Sequence, residues 1–379
     1  MKTVAVVTGS RADYGIYRPV LKAIEASPAL ALRLMVCGAH LAARFGNTVD
    51  EIVADGFAVA ERLETLDDDD DPAGIARSMA NGVGLFGAAY ARATPDILLV
   101  LGDRYEMFAA TAAAVPFNIP IAHIHGGEVT EGAMDDAFRH AITMMSTHHF
   151  ATTEAYAARI RQMGAKPGTV FVTGAPSLDN LATVPPMSPA ELAADIGMTL
   201  EPAPLLVTFH PETLDYANTA AHIEVLLAAL TDIALPIVIT YPNADTYGHK
   251  IIDAIDRFAA ARDNVRAVRH LGTRRYFSLM RHAAAMVGNS SSGIIEAASF
   301  KLPVVNVGDR QKGRERARNV IDVGYAAEAI GDAIRRAINP SFRDGLEGLE
   351  NPYGDGATAP RIVARLVECT ADACQEARP

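Results

Sequence analysis

Short apolar runs that alternate with longer amphipathic stretches restrict the fold of this chain more than any other feature. A continuous apolar run of this kind is typical of a strand that is buried on both faces of a parallel sheet. The pattern predicts an α/β protein built from two Rossmann-like, doubly wound domains that face each other across a cleft. The runs cover residues 4–7, 32–37, 97–101, 120–124, 170–173, 205–209, 236–240, 265–268, 285–288 and 303–307.

Proline-rich sequence marks the boundary between the two halves. The pairs Pro185-Pro186 and Pro202/Pro204 favour a linker with little regular structure. Residues 357–379 are predicted to form a C-terminal helix that can cross back to the N-terminal domain. We therefore predict an N-terminal domain over residues 1–180, a linker over 181–204 and a C-terminal domain over 205–356.

Length, charge and cysteine content narrow the class of protein. The 379 residues are enough for two domains of ordinary size. A net charge of −11 and the absence of tryptophan argue against a nucleic acid partner, because phosphate binding requires surplus Lys and Arg. The three cysteines have no CxxC spacing, and no apolar run reaches the roughly 20 residues of a membrane span. Since no signal-peptide pattern is present either, we expect a cytoplasmic enzyme without a membrane partner.

Ligands of open parallel sheets bind beyond the carboxyl ends of the strands, so the residues that follow each strand are the candidates for a site. Residues 9–15 lead from the first strand into a helix, where Arg11 and the helix N-terminus favour an anion. A plain strand-to-helix turn is the simpler explanation of that segment. Asp103 follows the strand at 97–101 and suits acid–base chemistry, whereas Arg104 beside it could be its structural ion partner.

Two histidines and an acidic residue follow the next strand, where residues 123–128 read His-Ile-His-Gly-Gly-Glu. Alternation along the strand places both histidines on one face, as in some metal-dependent hydrolases. Third and fourth ligands are not evident in the sequence, so we predict no metal site. The glycines are expected to bring the backbone close to a ligand and to present Glu128 at the rim.

Asp135 and Arg139 lie four residues apart and therefore on one face of the helix that follows. A surface ion pair explains them, with an acidic first turn that the helix dipole favours. Together with Asp103 and Glu128, however, they give the N-terminal domain three carboxylates and an arginine near one edge. This set suits acid–base catalysis on a bound ligand.

The C-terminal domain contains a strong candidate for anion binding. Residues 288–293, Gly-Asn-Ser-Ser-Ser-Gly, connect a strand to a helix whose free N–H groups can bind a diphosphate. Ser290, Ser291 and Gly293 are the predicted contacts. Glu296 lies in the first turns of that helix, where it can accept hydrogen bonds from ribose hydroxyls.

Two further segments of this domain are candidates. His210 follows the strand at 205–209, at the position that corresponds to residues 9–11 in the N-terminal domain, and is expected to face the cleft. The loop at 308–318 is basic within an acidic protein. It is either a solvated loop or a segment that contacts an anion or another subunit.

Taken in order, these motifs resemble the hydrolysing type of UDP-N-acetylglucosamine 2-epimerases, which feed sialic acid synthesis, and their near relatives that act on UDP-N,N′-diacetylbacillosamine in the legionaminic acid pathway. The resemblance implies the two-Rossmann glycosyltransferase-B architecture, a UDP-sugar substrate and no cofactor. One departure is Met144, since the family usually has Lys after Ala-Ile-Thr. The matching segments are 8–15, 102–106, 123–128, 135–140, 209–213, 289–296, 308–314 and 351–356.

The resemblance also implies a reaction in two stages. A base removes the C2 proton while UDP leaves C1, and water then adds at C1 of the resulting 2-acetamidoglucal as C2 is reprotonated on the opposite face. The expected acid–base groups are Asp103, Glu128 and Asp135, with the face that each serves left open, and His210 completes the catalytic set. The expected UDP contacts are Arg11, Arg139, Ser290, Ser291, Gly293 and Glu296.

Other classes of protein share some of these features. A glycosyltransferase of the same architecture would use the serine-rich turn and Glu296 but would not need three carboxylates. A metal-dependent hydrolase would need a metal ion bound by His123 and His125. A non-catalytic sugar-nucleotide sensor would be expected to lack the acid–base groups. These motifs do not distinguish between the two sugars. We expect the protein to form a homodimer or homotetramer.

Overall fold

The computed structural model describes residues 1–69, 71–131, 133–212, 214–242, 248–269 and 271–369. The chain forms two compact units. The first contains Met1–Glu128, Asp135–Asn180 and the described residues from Tyr353 onward. The second contains Val129–Met134 and Leu181–Pro352.

Strands and helices alternate along most of the described chain. The strands are β1 (Lys2–Thr8), β2 (Leu30–Cys37), β3 (Val59–Leu63), β4 (Ile97–Leu101), β5 (Ile121–Ile124), β6 (His148–Ala151), β7 (Val170–Val172), β8 (Leu205–Thr208), β9 (Ile237–Thr240), β10 (Val265–Val268), β11 (Ala285–Gly288), β12 (Val304–Val307) and β13 (Val320–Val323). The α-helices are α1 (Arg11–Glu25), α2 (Val49–Ala54), α3 (Pro72–Arg92), α4 (Tyr105–Ala114), α5 (Asp135–Met145), α6 (Glu154–Gln162), α7 (Asn180–Thr183), α8 (Pro189–Ile196), α9 (Thr219–Leu230), α10 (Gly248–Ala260), α11 (Gly272–His282), α12 (Ser292–Ile295), α13 (Ala327–Ala337), α14 (Pro340–Asp344) and α15 (Thr358–Glu368). None of these helices combines the length and apolarity that crossing a membrane requires.

The first unit is built on a parallel sheet. Its described strands follow the order β3-β2-β1-β4-β5-β6-β7. The central strand β1 pairs with β2 on one side and β4 on the other, so that Val4 lies opposite both Leu32 and Ile97. The carboxyl ends of β1, β4 and β5 therefore lie at one edge of the sheet, and the segments that follow these strands contain Arg11, Asp103 and Glu128.

Helices cover both faces of this sheet. Val4 and Val6 point into one apolar cluster with residues of α1 and α15, whereas Ala5 and Val7 point into another with residues of α3 and α4. All four residues are completely buried. Burial on both faces explains why β1 is a continuous apolar run rather than an alternating one.

The C-terminal helix α15 completes the first unit. Its Ile362 and Leu366 belong to the same apolar cluster as Tyr17 and Leu21 of α1. At the end of the helix, Lys2 Nζ donates to the carbonyl oxygen of Leu366 at 3.0 Å. The helix thus packs on the first unit although some 170 residues of the second unit precede it in the sequence.

The second unit repeats the arrangement. Its described strands form a parallel sheet in the order β10-β9-β8-β11-β12-β13. Relative to its own first strand, this is the same order as in the first six strands of the other sheet. Two apolar clusters cover its faces, one containing Val207 and Ile239 and the other Leu206 and Val238. The prediction of two Rossmann-like α/β domains is confirmed.

The segment 181–204 is more ordered than the predicted linker. Residues Pro189–Ile196 form α8, and Ser188 caps it in a reciprocal arrangement with Glu191. Leu192 and Ile196 on this helix are buried in an apolar cluster of the second unit. Pro189 starts this helix rather than preventing it, because it occupies the first helical turn, where its missing N–H is not needed.

Candidate active site

A buried arginine connects two of the predicted carboxylates in the first unit. Arg139, 1% exposed, lies on α5 and donates to the carboxylate of Asp103, which follows β4. Its Nη1 donates to the backbone oxygen of His125 at 2.8 Å and lies 3.9 Å from Oε2 of Glu128. Arg139 is therefore not part of a surface ion pair. Its positive charge lies between Asp103 and Glu128.

Glu128 does not lie at the rim, as the sequence led us to expect. It is 0% exposed, and its Oε1 accepts hydrogen bonds from Nδ1 of His125 at 2.6 Å and from the hydroxyl of Thr152 at 2.8 Å. The reason is that the two preceding glycines pack on the protein itself. A Cβ at Gly127, where φ is +71°, would lie 2.6 Å from Cγ1 of Ile160.

His125 has an unusual backbone. Its φ of +65° lies in the left-handed region, which side chains other than glycine rarely adopt. Its N–H donates to the carbonyl oxygen of Phe150 at 3.2 Å, and its own carbonyl accepts from Arg139. These two hydrogen bonds hold the residue in its strained conformation, an arrangement that is concentrated at functional sites.

His123 is a structural residue. Its Nε2 donates to the backbone oxygen of Gly102 at 2.7 Å, and its Nδ1 lies 3.2 Å from the hydroxyl of Thr143. Burial lowers the pKa of His123 to about 3, so the ring is neutral. Both ring nitrogens of His123 are occupied, so His123 and His125 do not form the metal site that a metal-dependent hydrolase would need.

Asp135 and Met144 lie at opposite ends of α5. Asp135 is the first residue of the helix and is partly buried. Met144 is 62% exposed. The departure from the usual lysine therefore falls at a solvent-exposed position.

A second buried acidic group lies near the carboxyl end of β1. Asp13 on α1 is 7% exposed, and its N–H donates to the side chain of the N-cap residue Ser10 at 3.3 Å. Arg104 binds Glu106 close by, through Nε at 3.1 Å and Nη2 at 3.2 Å, while the carboxylate of Asp103 is bound by Arg139. Burial raises the pKa of Asp13 to about 6, opposed by the positive charge of Arg104 and reinforced by Glu106.

Asp13→Asn is expected to stabilise the first unit above pH 6. With a pKa of about 6 when folded and 3.8 when unfolded, Asp13 favours folding at low pH, and this contribution is lost as the pH rises through 6. Above that pH the buried carboxylate costs up to about 3 kcal/mol, which the amide avoids. Urea unfolding at pH 8 should show a gain of about 1–3 kcal/mol, with no gain at pH 4. The exposed control Asp68→Asn should show neither effect, and a gain that is equal at both pH values would contradict the argument.

Arg11 has a partner within the first unit. It begins α1, and its Nη2 lies 2.8 Å from Oε1 of Glu51. Both side chains are partly exposed. A diphosphate bound by Arg11 would either share the Arg11 guanidinium with Glu51 or displace Glu51 from it.

In the second unit, Asn289 fixes His210. The Oδ1 of Asn289 accepts from the backbone N–H of His210 at 2.7 Å, and its Nδ2 donates to the backbone oxygen of His210 at 2.9 Å. The two strand ends, β8 and β11, are neighbours in the sheet. The serine-rich turn and His210 are thus brought together by one buried amide.

The predicted diphosphate contacts lie in the turn that starts α12. Ser290 Oγ accepts from the N–H of Ser292 at 3.3 Å, as a local cap does. Gly293 is different, because its N–H donates to Ser290 O at 3.1 Å and a Cβ there would meet Val304 at 2.9 Å. Gly293 therefore lets the turn pack on the sheet. Glu296, at the end of α12, is 6% exposed.

The basic loop is anchored rather than solvated. Gln311, 1% exposed, donates to the backbone oxygen of Asn289 at 2.9 Å, and Arg310 donates to the same oxygen at 3.2 Å. Glu212 Oε1 accepts from the backbone N–H of Asp309 at 2.8 Å and from the hydroxyl of Tyr325 at 2.6 Å. The loop thus holds the serine-rich turn through the backbone of Asn289.

Glu212 also belongs to the one cluster of possible metal ligands within the described parts of the chain, with Asp215 and His222. This cluster does not include His123 or His125. The hydrogen bonds from the loop already account for the position of Glu212, so the cluster gives no support to the metal-dependent hydrolase.

Comparison with known proteins identifies the family. A family model described as UDP-N-acetylglucosamine 2-epimerase matches residues 22–367. The chain belongs to the UDP-N-acetylglucosamine 2-epimerase family. The resemblance noted in the sequence motifs is confirmed.

Curated and solved members of this epimerase family cover nearly the whole chain. A UDP-N,N′-diacetylbacillosamine 2-epimerase (hydrolyzing) of Legionella pneumophila is 38% identical over 97% of this chain and 96% of its own. A UDP-N-acetylglucosamine 2-epimerase of Neisseria meningitidis is 32% identical over 89% of this chain and 88% of its own. A crystal structure of UDP-GlcNAc 2-epimerase from Neisseria meningitidis bound to UDP-GlcNAc has a TM-score of 0.81 at 21% identity, covering 97% of this chain and 100% of that one. The last likeness shows a common fold.

In this member of the epimerase family, the structure shows residues at the candidate site that the sequence does not indicate. From the sequence, His125 is a candidate only as a metal ligand, and no pattern indicates Thr152 or Asn289 as partners of the site. Their contacts cross between strands that are distant in sequence, so no local pattern reports them. The left-handed backbone of His125 likewise has no sequence signal, because histidine does not indicate it.

Proposed function

We propose that this chain is a hydrolysing 2-epimerase, which converts UDP-N-acetylglucosamine and water to N-acetylmannosamine and UDP. The observation that supports it is the cluster of Asp103, Arg139, His125 and Glu128 at the carboxyl edge of the first sheet. Such a cluster places three groups that can take up or release a proton, two carboxylates and an imidazole, around one arginine. A glycosyltransferase does not change C2 of the sugar and therefore does not need this cluster.

The chemistry needs proton transfer on both faces of the sugar ring. A base must remove the weakly acidic C2 proton, and an acid must return a proton to the opposite face. The side chain of Asp103 is 21% exposed and can meet a ligand, whereas that of Glu128 is closed off. Asp135, at the start of α5, is partly exposed and is the second candidate that a ligand can reach.

Departure of UDP requires its developing charge to be held. Preorganised donors directed at such a charge usually supply the largest part of catalysis. We propose Glu296 as the acceptor for ribose hydroxyls, and Arg139 as the group that orients Asp103. The proposed diphosphate contacts are Arg11, His210, Ser290 and Ser291, with Gly293 serving the packing of their turn.

Turnover in heavy water is expected to place deuterium at C2 of the product. If C2 is deprotonated and then reprotonated from solvent, the released free sugar must carry deuterium there and have inverted configuration. UDP should appear in equal amount. Proton NMR of the reaction with UDP-N-acetylglucosamine measures all three. A C2 proton retained in the product, or a product that remains attached to UDP, would contradict the hydrolysing mechanism.

UDP-N,N′-diacetylbacillosamine is the second candidate substrate. It is favoured by identity, because the relative named for that sugar is 38% identical to this chain and the relative named for UDP-N-acetylglucosamine is 32% identical. The two sugars differ at C4 and C6, while the chemistry at C1 and C2 is the same. Parallel reactions with each nucleotide sugar, compared by kcat/KM, decide between them.

A further inference from the structure

We propose that His125 is a catalytic residue of this epimerase, whose Nε2 removes the C2 proton in the first stage, and that Glu128 acts by positioning it. This inference rests on the proposed function. It transfers to a histidine the acid–base role that the sequence assigned to Glu128. The ring and the carboxylate act as a pair.

The hydrogen bonds of the ring define its protonation. Nδ1 of His125 lies 2.6 Å from Oε1 of Glu128, a carboxylate that can only accept, so Nδ1 carries the hydrogen. In the neutral ring, Nε2 then presents a lone pair. Nε2 is buried and has no hydrogen-bond partner within the residues that the structure describes. A buried polar atom without a partner requires an explanation, and a reacting C–H group of a bound ligand provides one.

The strained backbone conformation of His125 also indicates a functional role for this residue. His125 is held at a φ of +65° by the carbonyl of Phe150 and by Arg139. Glycine would adopt this backbone conformation without strain. A histidine kept there at a conformational penalty indicates that the ring itself is needed.

Glu128 is held by hydrogen bonds within the protein. Its Oε1 accepts from Nδ1 of His125 at 2.6 Å and from the hydroxyl of Thr152 at 2.8 Å. Its role is to fix the tautomer and orientation of the ring and to offset the charge of the imidazolium, as the acidic member of a catalytic triad does. Arg139, 3.9 Å from Oε2 of Glu128, keeps that carboxylate in place.

The proposed step is balanced. The C2–H bond breaks and its proton passes to Nε2 of His125, giving an imidazolium paired with Glu128. The C–H electron pair forms the C1–C2 double bond, and the C1–O pair leaves with UDP. The imidazolium releases its proton to solvent before the next turnover, and Asp103 or Asp135 protonates C2 on the other face in the second stage.

The charged groups around His125 allow a pH test. Those that face it are Glu128, Arg139, His123 and, through His123, His149. Burial lowers the pKa of His123 to about 3 and that of His149 to about 4. Neither histidine therefore changes charge above pH 5. We therefore compare the loss of kcat/KM on acidification above pH 5, the acidic limb of the profile, between wild type and His125 variants, because Asp13, whose pKa burial raises to about 6, is present in both proteins.

His125→Asn is the decisive variant. Asparagine tolerates the left-handed backbone and its amide can donate to Glu128, but it has no basic nitrogen. We expect kcat for UDP release to fall by about 1000-fold with KM nearly unchanged, and the acidic limb of the pH profile to vanish. Circular dichroism and the melting temperature should match wild type. His282→Asn, a change to a partly buried histidine that contacts the backbone oxygen of Met187, is the control and should keep full activity and the limb.

Two further variants separate the base from its positioning residue. Glu128→Gln keeps an acceptor for Nδ1 and removes the charge, so kcat should fall and the pH profile of kcat/KM should differ from that of wild type. His125→Gly removes the ring without strain, and added imidazole should restore part of the activity. The restored activity should follow the concentration of neutral imidazole.

The results that overturn the proposal are distinct. Activity of His125→Asn within about threefold of wild type, or a pH profile of kcat/KM identical to that of wild type, removes the histidine from catalysis. Normal UDP release with accumulation of the glucal would place His125 in the second stage and refute its role as the first base. A wild-type protein that releases neither UDP nor an inverted sugar contradicts the proposed function itself, and the inference with it.

Discussion

Arg139→Met is expected to destabilise the first unit by about 3–5 kcal/mol and to abolish turnover. Arg139 is 1% exposed and contacts Asp103 and the backbone of His125, with Glu128 at 3.9 Å. Methionine fills a similar volume but leaves two carboxylates without their common cation. An unpaired buried charge is far more costly than the pair is stabilising, which is why the loss should be large.

Hydrogen exchange of the amides in β4 and β5 as a function of urea is the appropriate measurement, because the two units can unfold separately. Arg139→Lys keeps the charge but replaces the planar fork with one ammonium group, so an intermediate loss is expected. The control is Arg257→Met, since Arg257 pairs with Glu224 where both side chains are more than half exposed. That change should alter stability by less than about 1 kcal/mol. Equal effects at both sites would show that Arg139 does not neutralise the cluster.

Gly288→Ala is expected to prevent correct folding of the second unit. Gly288 ends β11 at a φ of +129°, and a Cβ there would lie 2.0 Å from the carbonyl oxygen of Thr208 in the neighbouring strand. That oxygen accepts from the N–H of Asn289 at 3.1 Å. The strands cannot separate without breaking this hydrogen bond and releasing the hold of Asn289 on His210. We expect a loss of more than about 4 kcal/mol.

The yield of soluble protein and its resistance to protease test this expectation. Gly84→Ala is the matched control, because Gly84 lies within α3 and a Cβ there would have no atom within 4 Å. The same added methyl group should stabilise that helix by up to about 1 kcal/mol. Normal yield and unchanged UDP binding in Gly288→Ala would refute the steric argument.

Strands that are continuous apolar runs could mostly be predicted from the sequence, whereas two of the four edge strands could not. The runs at 97–101, 265–268 and 285–288 coincide with β4, β10 and β11. Strands β3 and β13, at the edges, were missed because they carry charged residues and are covered on fewer sides. Strand β6 was missed for another reason. It starts with His148 and His149, which are buried but do not form an apolar run.

The residues of the candidate site were mostly identifiable, but not their relations. Strand ends pointed to Asp103 and Glu128, and helical spacing pointed to Arg139. Which arginine binds Asp103 was not decided by proximity in sequence, since Arg104 is adjacent and Arg139 is 36 residues away. The burial of Glu128 was missed because it depends on Ile160 and Thr152, which come from later elements.

The position of α15 has a consequence for synthesis on the ribosome. The helix supplies Ile362 and Leu366 to the apolar cluster around α1, yet it is translated after the whole of the second unit. At roughly 5–20 residues per second, the nascent N-terminal half waits about 10–40 s for its last helix. During that interval α1 presents an uncovered apolar stripe, because the residues of α15 that cover it have not been made. The N-terminal half can therefore mature only when nearly the whole chain has been translated, and until then it exposes the kind of surface that a holding chaperone binds.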